Sequence, residues 1–224
     1  MSSTNTNSFS QLFKYVGISL VFSLLGFVFG QMFIPPRIAS MGSMFLSLFF
    51  LITFIASLFM KNRRYSNLTM NKVYTFTFIH GLCIYPIINY YAYFLGLATV
   101  LGVFIGTITI FIGLSIYAKN KDVSKILSFG PIFSFILLGI IIASFLNVFL
   151  QSNTMNIGIS AIAIILFTLY IIYMIANFKH TLNYRSLNSA NDYAPFVLNL
   201  YTDFMNLFLN ILSFMDSVKR DGNS

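Results

Sequence analysis

Glutamate and tryptophan are absent from the 224 residues, and cysteine occurs once, as Cys83. Charged residues make up 8% of the chain, where a soluble globular protein carries roughly 25%. Each scarcity excludes something. A single cysteine excludes a disulfide framework within the chain. The acids are Asp122, Asp192, Asp203, Asp216 and Asp221 alone, so general acid–base chemistry has almost nothing to use. An intramembrane aspartyl protease needs two carboxylates, and only Asp203 lies deep in an apolar segment. There is no HExxH or other His/Cys cluster for zinc, no GxSxG elbow and no glycine-rich phosphate loop. The chain is therefore expected not to be an enzyme and to hold no cofactor.

What is present is apolar. Hydrophobic residues make up 58% of the chain, more than one core can hide, so the class is a polytopic membrane protein surrounded by lipid. Apolar segments fall at 12–34, 41–60, 73–93, 95–117, 127–150, 157–178 and 195–215. A helix needs roughly 20 residues to cross the hydrocarbon, which makes seven candidate spans in one transmembrane domain, 1–224. Long continuous runs are not the alternating pattern of a barrel, so the fold class is all-α. The first run is too long for a signal peptide and has no basic residue before Lys14; it is expected to be a retained span.

The net charge of +8 is distributed between the runs. It therefore reports orientation and not a nucleic-acid surface. With the N-terminus inside, ten Lys and Arg fall inside and three outside. If the last segment dips in and returns, the division becomes twelve to one. Either way the N-terminus is expected to be cytoplasmic. A compact chain without extra domains fits a bacterial plasma membrane.

The stretch LNLYTDFMNLFLN, 198–210, sets an aspartate and three asparagines in an apolar run. At about 100° per residue, Asn199, Asp203, Asn206, Asn210 and Ser213 share a face about 80° wide. An aspartate at mid-membrane costs about 2.5–3.5 kcal/mol on insertion scales, so this face meets other helices or a water-filled path. Asp203 is a functional candidate; the alternative is that it and the asparagines are interhelical glue.

Other polar groups inside spans are His80, Tyr85, Pro86 and Asn89 in the third segment, Asn147 in the fifth, and Tyr170, Tyr173 and Asn177 in the sixth. Tyr170 and Tyr173 read as interface anchors, and Pro86 as a kink. His80 and Asp203 each lie roughly 11–12 Å from the cytoplasmic start of their spans, which makes contact between them possible by depth.

YTFTFIHGLCIYPIINYYA, 74–92, resembles the third span of the Bax inhibitor motif family, including its bacterial YetJ-like members. LYIIYMIANFKH, 169–180, and APFVLNLYTDFMNLFLNILSFM, 194–215, resemble that family's last two segments. The resemblance implies seven helices, a central seventh ringed by six, and a pH-sensitive calcium leak. In that family two aspartates on the sixth and seventh helices share a hydrogen bond and latch the pore. Asp203 matches the second, and the first falls on Met174, which cannot ionise. A family glutamate falls on Phe50, and the basic residue of the network falls near Lys61.

The departure at Met174 has a physical consequence. Two carboxylates sharing a proton titrate together, and one carboxylate beside a thioether does not. Conduction without that latch, a substitute supplied by His80, and no conduction at all remain open. Calcium prefers several oxygen ligands, so Asp203 with a polar path of Asn199, Asn206, Asn210 and Asn177 would be a weak transit site. The competing reading is an interaction protein that modulates a membrane protease or a stress or cell-death pathway.

Overall fold

The computed structural model describes residues 2–42, 44–45, 68–122 and 124–222. Six long α-helices are described: α1 Ser2–Phe33, α2 Met70–Leu95, α3 Leu97–Asn120, α4 Gly130–Leu150, α5 Asn153–Tyr184 and α6 Ala190–Asp221. A 3₁₀ turn, Ser124–Phe129, leads into α4. Residues 36–42 and 44–45 are also helical. No strand occurs among the described residues, as the continuous apolar runs predict.

Five stretches are long and apolar enough to cross a membrane: Asn7–Phe33, Met70–Leu95, Leu97–Asn120, Ser124–Leu150 and Asn153–Tyr184. They match five of the seven expected segments. Most of the expected segment 41–60 lies outside the described residues. The segment 195–215 lies within α6, whose aspartate and asparagines make it less apolar than the other five.

Helix ends run past the hydropathy boundaries because polar residues continue a helix into the interface. The first helix begins at Ser2 and not at 12, α5 runs to Tyr184 and not 178, and α6 spans Ala190–Asp221. Pro86 sits inside α2 without dividing it into two elements. The connection from α2 to α3 is Gly96 alone, at φ +92°, a backbone conformation that suits glycine.

Capping explains several ends. Thr69 Oγ1 accepts the Lys72 N–H (3.4 Å), and the Asn191 side chain accepts the Met70 N–H (3.0 Å), so α2 starts with donors satisfied. Asn147 closes α4. Its carbonyl accepts the Gln151 N–H and its Oδ1 accepts the Ser152 N–H, while Gln151 turns left-handed at φ 49°. Ser152 then accepts the Met155 N–H at 3.2 Å and starts α5.

The chain forms two compact units: Met1–Tyr90 with Leu187–Tyr201, and Tyr91–Ser186 with Thr202–Ser224. In the first unit α1 and α2 cross with backbones in close approach. A Cβ added at Gly81 would lie 2.0 Å from the Ser23 carbonyl oxygen, and one at Gly26 would lie 2.1 Å from that of Phe78. Only glycine permits this spacing, which lets apolar helices pack tightly where no hydrophobic drive separates them from lipid. Around the crossing, Phe22 stacks on Tyr74 and Tyr15 meets Tyr193 edge-on. In the second unit the Phe204 ring packs edge-on against Phe104 and Phe111, and Phe208 against Phe104. There α4 buries only Phe133, which meets Tyr170 and Tyr173.

Candidate functional site: the polar line of the last helix

Helix α6 starts with the Asp192 carboxylate reaching back to Ser189, one half of a capping box. Ser189 donates its N–H (3.0 Å) and hydroxyl (3.0 Å) to Asp192 Oδ2. From Asp192 to Phe214 no residue is exposed. Leu200, Phe204, Leu207, Phe208 and Leu212 are buried on its apolar sides. The polar line runs Asn199, Asp203, Asn206, Asn210 and Ser213, and one step further to Ser217, which is 1% exposed. Steps of four and three keep the line on one face.

The line divides into two parts. Toward its C-terminal end it is glue between helices. Asn156 donates to Ser217 Oγ (2.6 Å) and to Ser213 Oγ (3.2 Å). The Ser160 hydroxyl donates to Ser213 Oγ (3.0 Å), and Asn153 donates to the Ser217 carbonyl (2.8 Å). Asn210 turns inward on its own helix and donates to the Asn206 carbonyl at 2.8 Å. The sequence offers no role for Asn153, Asn156, Ser160 or Ser217, because 151–156 read only as an uncharged connection.

Asp203 is different. It is 8% exposed, and its Oδ2 has no hydrogen-bond partner. Among the described residues the Ser115 hydroxyl on α3 is the other buried side-chain oxygen in that condition. The Ser160–Ser213 and Asn156–Ser217 contacts set an antiparallel register between α5 and α6. Ten residues on from Ser160 is Tyr170, and ten back from Ser213 is Asp203, so these two share a level. Tyr170 lies within electrostatic reach of Asp203, and its hydroxyl bonds to Ser134. Met174 is buried at 7% exposure, one turn along α5 from Tyr170. Asn177 and Asn199 are half-buried, and the Asn177 carbonyl accepts the Thr181 hydroxyl at 2.9 Å.

In the first unit His80 is held by a residue that sequence reasoning does not single out. The Tyr201 hydroxyl donates to Ser23 Oγ at 2.9 Å, and His80 Nδ1 lies 2.7 Å from the same hydroxyl. A tyrosine has one proton. Whichever way that proton points, the Ser23 and Tyr201 hydroxyls and the His80 ring form one hydrogen-bonded chain. Phe76 stacks beside the ring. Phe50 and Lys61 lie outside the described residues. No group of three or more His, Cys, Asp or Glu that could hold a metal occurs among the described residues.

A helical protein with several membrane-crossing segments, whose last helix buries two carboxylates, Asp203 and Asp216, is an integral membrane protein. Comparison with known proteins gives the family. Residues 6–220 match the family described as Inhibitor of apoptosis-promoting Bax1, and the chain belongs to this Bax inhibitor family. It is 34% identical over 158 residues to an uncharacterised Campylobacter jejuni protein, covering 69% of this chain and 64% of that protein. It is 30% identical over 155 residues to Protein lifeguard 4 of Mus musculus, covering 68% of this chain and 60% of that protein. The match thus spans less than two thirds of each of these two relatives. Inner membrane protein YbhL of Escherichia coli is 30% identical over 121 residues, 51% of this chain and 50% of YbhL.

Proposed function

We propose that this chain is a calcium leak channel whose conduction is modulated by pH, with Asp203 as the acid lining the path. The observation that carries the reading is the unpartnered Asp203 Oδ2 on a helix that exposes no residue from Asp192 to Phe214. Leaving a buried acceptor unpaired costs about 1–3 kcal/mol, and more for a charged group. A cation in transit is the partner that would repay this. Calcium takes 6–8 oxygen ligands, so one carboxylate with the Asn199, Asn206, Asn210 and Asn177 amides makes a passing site of low affinity.

The proposal includes seven spans with α6 at the centre, a cytoplasmic N-terminus and a bacterial plasma membrane; the name of the YbhL relative supports the last. Met174 removes one of the two acids that would share a proton. The pH response then follows one carboxylate in one step, where a coupled pair would titrate in two. The test is calcium flux in proteoliposomes from about pH 5 to 8. Loss of flux in Asp203→Ala supports the proposal, and unchanged flux removes it.

The description of the family favours a second reading, in which the chain binds partner helices and modulates a membrane protease or a cell-death or stress pathway without conducting. Capture of a membrane partner whose activity changes, from a protein inert in the flux assay, selects this reading.

A further inference from the structure

The second unit carries a cavity of about 80 Å³ at the end where both α3 and α5 stop. A buried water takes roughly 10–15 Å³ of such space, so the cavity admits a group of about five to eight heavy atoms, a phosphate with its first substituents. Its floor is apolar, formed by Leu127 and the buried Ala176. Asp122 and Ser124, from the connection after α3, make one wall. Lys179, His180 and Asn183 make the other, and with Ala176 they lie on one face of α5.

The walls carry opposite charge, and both are held in place. Lys179 donates to the Lys119 and Lys121 carbonyls, each at 3.1 Å, and so neutralises the negative end of α3. Those bonds use two of its three donors. Asp122 Oδ1 accepts the Ser124 N–H at 3.0 Å. The Ser124 N–H and hydroxyl, then Lys179 and Lys125, hold the Asp122 carboxyl below the usual carboxylate range, so it is ionised at neutral pH. Asp122, Ser124, His180 and Asn183 are exposed, which leaves the mouth open. Because α3 and α5 are both membrane-crossing helices and both end here, the cavity stands at the level of lipid headgroups.

We propose that this cavity holds the headgroup of a phospholipid carrying both a phosphate and an ammonium group, of which phosphatidylethanolamine is the simplest. A bare phosphate would face the Asp122 carboxylate, and a lone cation would face Lys179. A zwitterion answers both walls, with the phosphate against Lys179, His180 and Asn183 and the ammonium against Asp122. A choline headgroup has no N–H to give Asp122, and a glycerol headgroup has no positive charge.

The test uses the full chain in maltoside micelles, titrated with phosphatidylethanolamine, phosphatidylcholine, phosphatidylglycerol or inorganic phosphate. Bound lipid is read by native mass spectrometry and by the shift in melting temperature. Phosphatidylethanolamine is expected to bind about two- to fivefold tighter than phosphatidylglycerol, the gain for one partly exposed ion pair. Asp122→Asn is expected to erase that preference while still binding phospholipid, and His180→Gln to weaken all the phospholipids together. Asp122 and His180 are exposed, so unchanged elution and helicity show that the variants fold. Equal binding of the two lipids by the wild type overturns the proposal, as does a preference that survives Asp122→Asn. Binding of inorganic phosphate as tight as that of the lipids also overturns it, and assigns the cavity to a free anion.

Discussion

Gly81→Ala should be among the most damaging single-methyl changes in the first unit. The new Cβ would lie 2.0 Å from the Ser23 carbonyl oxygen, a backbone atom that cannot rotate away. Contacts below 3.0 Å do not occur at real Cβ atoms, so α1 and α2 must part by at least 1.0 Å there. Forced insertion of a methyl into a packed site costs about 1–3 kcal/mol. The same movement strains the Tyr201–Ser23 hydrogen bond, 2.9 Å long, because Ser23 is the residue displaced. Loss of that bond adds about 0.5–1.5 kcal/mol, for a total of about 1.5–4.5 kcal/mol. Gly17→Ala is the matched control. A Cβ there meets nothing within 4 Å, and the better helix former should be neutral or stabilising by up to about 1 kcal/mol. Thermal unfolding in micelles, followed by the monodisperse fraction on gel filtration, separates the two. A Gly81→Ala protein as stable as Gly17→Ala would refute this helix crossing.

Two further outcomes follow from particular contacts. Asn156→Ala removes the bonds to Ser213 and Ser217, each worth about 0.6 kcal/mol within a membrane bundle; a double-mutant cycle with Ser217→Ala should show coupling of that order, and additive losses would deny the pairing. The Asp122 carboxyl is held low in the folded chain, so its contribution to stability is present above the unfolded value and is lost as pH falls through the folded one. The wild type should therefore lose more melting temperature than Asp122→Asn below about pH 4, and parallel curves would show that the Ser124 and lysine contacts do not form.

The sequence carries the class and five of the seven expected spans openly, because roughly 20 apolar residues have few other uses. It also carries the polar face of α6, since spacing alone decides which side chains share a side of one helix. The partners are not legible, because they depend on which helices meet and in what register. Depth suggests a meeting of His80 with Asp203, but it gives no sign of the hydrogen bond between His80 and Tyr201. Asn156 and Ser160 gain a visible role only when α5 and α6 are set antiparallel, with Ser213 and Ser217 opposite them. Gly26 and Gly81 show nothing in sequence, because close approach belongs to the pair of helices and to neither alone. Hydropathy draws helix ends too short wherever polar residues extend a helix beyond its apolar stretch, as at Ser2 and Tyr184.

The most direct test of the central claim is calcium flux through the chain in proteoliposomes, for the wild type, Asp203→Ala and Met174→Asp, from about pH 5 to 8. The account predicts wild-type flux with a one-step pH response and loss of flux in Asp203→Ala. It predicts a response that moves to higher pH in Met174→Asp, where a second carboxylate beside Asp203 would hold on to a shared proton. Flux that is indifferent to Asp203 would contradict it, and flux absent from all three proteins would leave the polar line as packing between helices.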